Sequence, residues 1–182
     1  MDFAERKVRL KDGRAAVLRA PRVEDAAALI EYLRTIAGET PFLVKYPDEI
    51  QLTLEQEQDY LRGRIDDPRG AMILATVEGE HAGNSSFMGV GGGRRWAHRC
   101  TLGVALYQEY CGLGLGRKIL EYALELAKGC GYEQAELEVV DGNARAIALY
   151  ESLGFESCGC RPRDMKYDDG TYADMRIMTR GL

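Results

Sequence analysis

Residues 104–124, VALYQEYCGLGLGRKILEYAL, join a β-rich run to a helical run through three glycines at alternating positions. Glycine adopts backbone conformations that other residues resist, and it lets a ligand approach the main chain closely. The helix that follows begins with free N–H groups and the positive end of its dipole, which together favour an anion. Arg117 and Lys118 add two cations to its first turn. A pyrophosphate suits this arrangement, so the stretch predicts a phosphate-binding turn.

Other phosphate-binding glycine motifs differ from this one in spacing. A Rossmann fingerprint needs G-x-G-x-x-G in an early βαβ unit, whereas positions 112–116 read G-x-G-x-G. A P-loop needs G-x-x-x-x-G-K-[ST], which the chain lacks. A turn without a ligand is the simplest alternative, but glycine costs about 1 kcal/mol relative to alanine in a helix, and three are more than a turn needs. The spacing also speaks against a dinucleotide-dependent oxidoreductase.

The remainder of the chain predicts a mixed sheet covered by helices. In chain order we expect two strands, two helices, three strands, a helix, a strand, a helix and two strands, with a capping box of Thr53 and Gln56 opening the second helix. Strand–helix–strand crossings in the C-terminal half imply parallel pairing there, and hairpins imply antiparallel pairing elsewhere. The fold class is therefore α/β (α+β), with a mixed central sheet of about seven strands flanked by about four helices, in a single domain of residues 1–182.

Composition argues against several classes of protein. The chain has 182 residues, of which 46% are hydrophobic and 29% charged, enough for a sizeable core. A formal net charge of −5 argues against a general nucleic-acid binder. No apolar run approaches ~18 residues, and the charged opening lacks an apolar h-region, so neither a membrane span nor a secretory signal is expected. Five irregularly spaced cysteines favour a reducing compartment, the cytoplasm, and Cys158 and Cys160 have no histidine nearby in sequence, so no metal site is expected.

Two motifs together resemble the GNAT superfamily of N-acetyltransferases. The run YCGLGLG, 110–116, is similar to the acetyl-CoA pyrophosphate loop of that family, Q/R-x-x-G-x-G/A. The run NARAIALYESLGF, 143–155, is similar to its second signature, at the matching distance along the chain. The resemblance extends from about residue 72 to the C-terminus and implies the acyl-CoA N-acyltransferase fold. Cys111 stands where the family usually has Gln or Arg, a position that contributes mainly through its backbone.

The resemblance implies an enzyme that moves an acetyl group from acetyl-CoA to a primary amine of a small molecule or protein. The pantetheine arm would lie along strand 102–107, and a backbone N–H there, that of Leu106 or a neighbour, would bind the thioester oxygen. The amides of 112–117 would hold the pyrophosphate. The implied cofactor-binding residues are Val104, Ala105, Leu106, Cys111, Gly112, Leu113, Gly114, Leu115, Gly116, Arg117, Lys118, Asn143 and Tyr150.

Asn143 and Tyr150 lie seven residues apart, so on a helix their side chains differ by about 20° and share one face. From the residues alone, Asn143 is an N-cap after Asp141 and Gly142, and Tyr150 is a core aromatic. The resemblance adds a catalytic role, in which Tyr150 protonates the leaving CoA thiolate. It also implies that Asn143 contacts the cofactor or orders this segment.

The sequence leaves the general base open. Thr101 stands where related enzymes often carry an acid, and His98 is the obvious substitute because imidazole titrates near neutrality. The alternative for His98 is a surface histidine in the basic turn RRWAHR. Glu80, Asn84 and Glu138 are further candidates, and an amine that is already neutral needs no base.

The acceptor and the oligomeric state are also open. In this fold the segment 38–53 would lie near the acceptor, and its acids Glu39, Asp48 and Glu49 favour a cationic amine. The alternative function is a non-catalytic module of the same fold that holds acyl-CoA as a sensor or structural ligand, and Thr101 and Cys111 motivate it. Many relatives are dimers, which makes a homodimer possible.

Overall fold

A computed structural model describes residue 1 and residues 3–182, and its twelve helices and strands follow the predicted order. The strands are β1 (Arg6–Arg9), β2 (Ala15–Arg19), β3 (Ala71–Val77), β4 (Glu80–Gly89), β5 (Arg99–Leu106), β6 (Gln134–Val140), β7 (Glu156–Lys166) and β8 (Tyr172–Gly181). The helices are α1 (Ala26–Glu39), α2 (Leu54–Asp66), α3 (Leu115–Gly129) and α4 (Ala144–Ser152). The described residues thus form eight strands where about seven were expected, and four helices as expected.

All eight strands belong to one sheet, in the order β1-β2-β3-β4-β5-β6-β8-β7. Every neighbouring pair is antiparallel except β5 and β6, which are parallel. Helix α3 connects this parallel pair, because parallel neighbours need a crossover of at least a dozen residues. The mixed sheet predicted from the hairpins and crossovers is confirmed, but only the first crossover gives a parallel pair, because β8 lies between β6 and β7.

Helices cover both faces of the sheet. Helices α1 and α2 pack on one face, where Leu29 and Leu61 meet Met72 of β3. Helices α3 and α4 pack on the other face, where Leu120 and Ile147 join a larger core cluster. Successive side chains of a strand point to opposite faces, which is why alternate residues of β3 belong to the two clusters.

Two helices begin with the N-caps that the sequence predicts. The Thr53 hydroxyl accepts from the Gln56 N–H at 3.2 Å, and the Gln56 side chain accepts from the Thr53 N–H at 2.9 Å, which completes the capping box. The Asn143 side-chain oxygen accepts from the Ala146 N–H at 3.2 Å. Both caps satisfy N–H groups that have no partner within the helix.

None of the helices in the described part of the chain is both long and apolar enough to span a membrane. All five cysteines have free thiols, and Cys158 and Cys160 are exposed on β7.

Candidate active site

Strands β5 and β6 are joined at one end only. Their parallel pairing comprises three residue pairs, from Arg99 with Gln134 to Thr101 with Glu136. Beyond that point β5 stays paired with β4, and β6 stays paired with β8. The two central strands therefore diverge after Thr101 and leave a V-shaped opening in the middle of the sheet.

The edge of β5 that faces this opening follows from its hydrogen bonds. The Arg99 carbonyl accepts from the Val90 N–H at 3.1 Å, on the β4 side. Backbone groups of successive residues alternate between the two edges of a strand, so even-numbered residues of β5 face β6. The N–H and C=O groups of Val104 and Leu106 consequently lie along the opening, where no strand among residues 3–182 pairs with them.

The backbone of Ala105 is turned the other way. It faces β4, where Ala105 pairs with Asn84, and its carbonyl accepts a 2.7 Å hydrogen bond from the Tyr32 hydroxyl. The backbone of Ala105 therefore does not face the pantetheine arm expected along strand 102–107, whereas the backbones of its two neighbours do.

The glycine-rich turn presents six consecutive free N–H groups. From Gly112 to Arg117 no amide donates to an acceptor within the part of the chain described, and the first such bond of α3 joins the Lys118 N–H to the Gly114 carbonyl at 3.3 Å. Gly112 and Gly114 have φ values of +81° and +86°, in the left-handed region that L-residues rarely adopt. Together with the helix dipole, these amides make this end of α3 suited to an anion.

Two residues expected at this turn are engaged elsewhere. The Cys111 N–H donates to the Gln108 carbonyl at 3.1 Å, so the backbone contact expected of Cys111 is already used. The Arg117 guanidinium donates to the Ser152 hydroxyl and, at 3.4 Å, to Glu121. Arg117 thereby links α3 to α4, and its expected contact with the phosphate stays a prediction.

Two lysines carry positive charge at or beside this turn. Lys118 forms no salt bridge with any residue that the structure describes. Lys11, in the turn between β1 and β2, donates its backbone N–H to the Leu113 carbonyl at 3.0 Å. Its side-chain carbons lie 3.7 Å from the point where a Cβ on Gly114 would stand. Lys11 could not be predicted from local sequence, because about a hundred residues separate it from the turn that it contacts.

Tyr150 lies on the inner face of α4 and is 5% exposed. It belongs to the same core cluster as Leu137 and Val139 of β6, and its ring meets Phe155 edge-to-face with centroids 5.9 Å apart. Burial raises the pKa of Tyr150 to about 12, so the phenol keeps its proton through the neutral range. None of the described residues bonds to the Tyr150 hydroxyl, and its oxygen is not among the buried atoms without a partner, so it remains accessible at the surface of the core.

Neither histidine reaches the opening. His98 precedes β5 at its paired end, six residues or about 20 Å before Val104 at the rise of a strand. Its side chain is exposed, and its carbonyl accepts from the Glu133 N–H at 2.8 Å. His81 packs against Tyr32 with ring centroids 4.6 Å apart, its Nε2 is shielded from solvent, and burial lowers its pKa to about 4. The structure does not bring His98 together with Tyr150, and we do not retain it as a base.

A cavity of about 750 Å³ opens on the α1/α2 face of the sheet. Residues 37–41, 43–47 and 164–167 line it together with Glu138 and Met175. Glu138 lies on the part of β6 that has diverged from β5, and Arg161 donates two hydrogen bonds of 2.7 and 2.6 Å to its carboxylate. These bonds lower the pKa of Glu138, so the carboxylate is ionised at neutral pH.

Hydrogen bonds tie the walls of this cavity together. The Tyr167 hydroxyl donates to the Pro41 carbonyl at 3.1 Å, and the Asp168 N–H donates to the Tyr46 hydroxyl at 2.9 Å. The segment after α1 and the turn between β7 and β8 therefore form one continuous rim.

The charge of the cavity is mixed. Of the acids Glu39, Asp48 and Glu49, only Glu39 lines it, and the carboxylate of Glu39 accepts a backbone N–H at 2.8 Å. Lys45 and Lys166 line it as well. Glu138 and Asp164 add two further acids to the lining, so the preference for a cationic acceptor stays a prediction, with Glu39 as the acid of segment 38–53 that reaches the cavity.

Comparisons with known proteins identify the family. The model of the acetyltransferase (GNAT) family matches residues 30–155. The chain is 40% identical over 67 residues to the ribosomal protein bS18-alanine N-acetyltransferase of Escherichia coli K12, covering 37% of this chain and 45% of that enzyme. It is 27% identical over 139 residues to the streptothricin acetyltransferase of Streptomyces lavendulae, covering 70% and 64%. Each match spans less than two thirds of the relative's length.

The fold is shared over a longer range than the sequence. The crystal structure of a GNAT-family acetyltransferase from Streptococcus pneumoniae superposes with a TM-score of 0.86 at 27% identity, covering 92% of this chain and 99% of that one. The family match spans more than half of the chain, and it agrees with the resemblance drawn from the two motifs. The chain belongs to the acetyltransferase (GNAT) family.

Proposed function

We propose that this protein transfers the acetyl group of acetyl-CoA to a primary amine. The observation that carries the proposal is the opening between β5 and β6, with the backbone groups of Val104 and Leu106 along its edge. Backbone groups in the interior of a protein need hydrogen-bond partners. A pantetheine arm has two amides and an extended shape, so it can pair with this edge as an added strand would. The Val104 or Leu106 N–H is then the donor for the thioester oxygen.

The other end of acetyl-CoA fits the start of α3. The six free N–H groups of residues 112–117 and the helix dipole stabilise negative charge. Lys11 and Lys118 add two positive charges at the same place. The pyrophosphate is thus recognised mainly through main-chain groups, which explains why Cys111 can replace the usual polar residue.

Tyr150 is proposed as the acid for the leaving group. When the amine nitrogen attacks the thioester carbonyl, an N–C bond forms, the C–S bond breaks and the thiolate needs a proton. Tyr150 is protonated at neutral pH, and its hydroxyl has no other partner among the described residues. The attacking nitrogen becomes positively charged as the N–C bond forms, and it then gives a proton to the phenolate, directly or through water. General acids of this kind contribute about 10²–10⁴-fold to the rate.

The amine is proposed to enter through the 750 Å³ cavity on the α1/α2 face. Glu138 lines this cavity and lies on the part of β6 that has diverged from β5. An ionised carboxylate attracts a protonated amine and orients it, and Arg161 holds Glu138 in position. The amine loses one proton to water before it attacks, because only the neutral nitrogen has a free lone pair. The named relatives act on an alanine of a ribosomal protein and on streptothricin. Because these acceptors differ, the proposal covers both small-molecule and protein amines.

Thiol release from acetyl-CoA tests the proposal. Purified protein is incubated with acetyl-CoA and a panel of amines, amino acids and peptides, and free CoA is measured. We expect acetyl-CoA to bind and at least one amine to be acetylated. Binding of acetyl-CoA without thiol release from any acceptor would favour the non-catalytic module, and absence of binding would contradict both functions.

A cytoplasmic location, a single domain and a homodimer remain predictions. Light scattering on the eluting peak of a size-exclusion column measures the oligomeric state.

A further inference from the structure

A second cavity, of about 290 Å³, lies between α1 and α2 on the same face of the sheet. Its apolar wall includes Leu33 and Met72, and its polar residues include Glu57, Asn84 and Ser86. The mechanism proposed above uses none of these polar side chains.

Glu57 is unusual because a mostly buried side chain carries a carboxylate whose oxygens remain accessible from the cavity. It is 4% exposed, and no residue in the described part of the chain bonds to its carboxylate or forms a salt bridge with it. Glu57 shares the buried stripe of α2 with Leu61 and Arg64. Arg64 shows the usual arrangement, since its guanidinium donates to the Phe87 carbonyl at 2.8 Å and to Asp67 at 3.3 Å. Buried charges are normally paired in this way, because desolvation without a partner is costly.

The walls of the cavity indicate which partner Glu57 lacks. One carboxylate among mostly apolar side chains suits a single positive charge on an apolar body, whereas Ca²⁺ takes six to eight oxygen ligands. A primary ammonium group has three N–H donors. The Glu57 carboxylate, the Asn84 amide oxygen and the Ser86 hydroxyl are three acceptors on the same cavity.

The cavity adjoins the site of acetyl transfer. Leu33 lines it, and Ala37, one turn further along α1, lines the larger cavity. Asn84 is the cross-strand partner of Ala105, which lies between the two residues that border the opening. A ligand here is therefore close to the acetyl group without blocking the strand edge.

We propose that the cavity at Glu57 binds a primary ammonium ion that carries a short apolar chain. The ammonium group binds Glu57, and the chain packs on Leu33 and Met72. The site does not depend on acetyl transfer, so it can be tested in the absence of acetyl-CoA. The ligand is either a second amine of the acceptor itself or a separate molecule.

Calorimetric titration of the whole chain with hexylammonium tests the site. We expect Glu57→Gln to weaken binding at least tenfold. Glu55→Gln removes the same charge from an exposed position two residues earlier and should bind as the unchanged protein does. Ser86→Leu fills the cavity and should weaken binding while Glu57 remains. Neutral 1-hexanol should bind more weakly than hexylammonium to the unchanged protein.

Equal affinity of the unchanged protein and Glu57→Gln for hexylammonium would overturn the proposal, as would the absence of measurable binding. Circular dichroism of each variant shows whether it is folded. Neither negative result affects the proposed acetyl transfer, because acetyl-CoA is absent from the titration.

Kinetics then separates the two sources of the ligand. If Glu57→Gln raises KM for hexane-1,6-diamine but not for hexylamine, the cavity holds the acceptor's second amine. If both KM values are unchanged while hexylammonium binding is lost, the ligand is a separate molecule. Either result supports the site.

Discussion

Replacing Gly114 by alanine tests the glycine-rich turn through stability and binding together. Gly114 caps α3 at φ +86°, and an L-residue in the left-handed region costs about 1–2 kcal/mol. A Cβ there would stand 3.7 Å from side-chain carbons of Lys11, an ordinary contact that adds no clash. Alanine also has less conformational freedom than glycine in the unfolded chain, which stabilises the folded protein by about 0.4–1 kcal/mol. The free energy of unfolding should therefore fall by about 1 kcal/mol, which lowers Tm by about 2–4 °C at this length.

Gly129→Ala is the matched control, because the same methyl group is added near the other end of the same helix. No atom lies within 4 Å of a Cβ at Gly129, and its φ is not positive. Alanine is favoured over glycine in a helix by up to about 1 kcal/mol. Gly129→Ala should therefore raise Tm while Gly114→Ala lowers it, as measured by thermal unfolding followed by circular dichroism.

Binding gives the second measurement. A methyl group at Gly114 stands beside the free N–H groups that the pyrophosphate needs, so Gly114→Ala should weaken acetyl-CoA binding in calorimetry and Gly129→Ala should not. If Gly114→Ala is as stable as the unchanged protein and binds acetyl-CoA equally well, the turn is neither left-handed nor part of the site, and the reasoning fails.

Three further predictions concern single side chains. Tyr150→Phe should lower kcat by about 10²–10⁴-fold with little change in acetyl-CoA affinity, and a loss of less than about threefold in steady-state kinetics would exclude the acid role. Arg161→Ala removes the hydrogen bonds that lower the pKa of Glu138, so the acid limb of kcat/KM should move to higher pH; an unchanged profile would mean that Glu138 does not act on the amine. Burial raises the pKa of Glu57, so the folded protein favours the protonated carboxyl. The pKa in the unfolded chain is about 4.3, and stability is lost as pH rises from there through the raised pKa of the folded protein. The Tm of Glu57→Gln should therefore exceed that of the unchanged protein by a margin that grows with pH, and a constant margin would contradict the buried charge.

Much of the fold and part of the candidate site could be predicted from local sequence. The order of strands and helices follows from hydrophobic periodicity, and the N-caps at Thr53 and Asn143 follow from side chains that reach N–H groups three residues away. The glycine turn was also predictable from local sequence, because glycines directly before a helical run favour left-handed backbone there. The seven-residue spacing of Asn143 and Tyr150 likewise placed Tyr150 on the buried face of α4.

Relations between distant segments were decided only by the tertiary structure. The backbone groups of Val104 and Leu106 face the opening and those of Ala105 do not, because the pairing of β5 with β4 determines which edge each residue presents. His98 lies far from the opening because it precedes β5 at the end where β5 is paired with β6. Lys11 contacts the glycine turn because packing brings these distant residues together. The carboxylate of Glu57 has no partner among the described residues because packing places no donor beside it. Local spacing determines which elements form and how they begin, whereas register and packing determine which charges and hydrogen-bond groups are left free for a ligand.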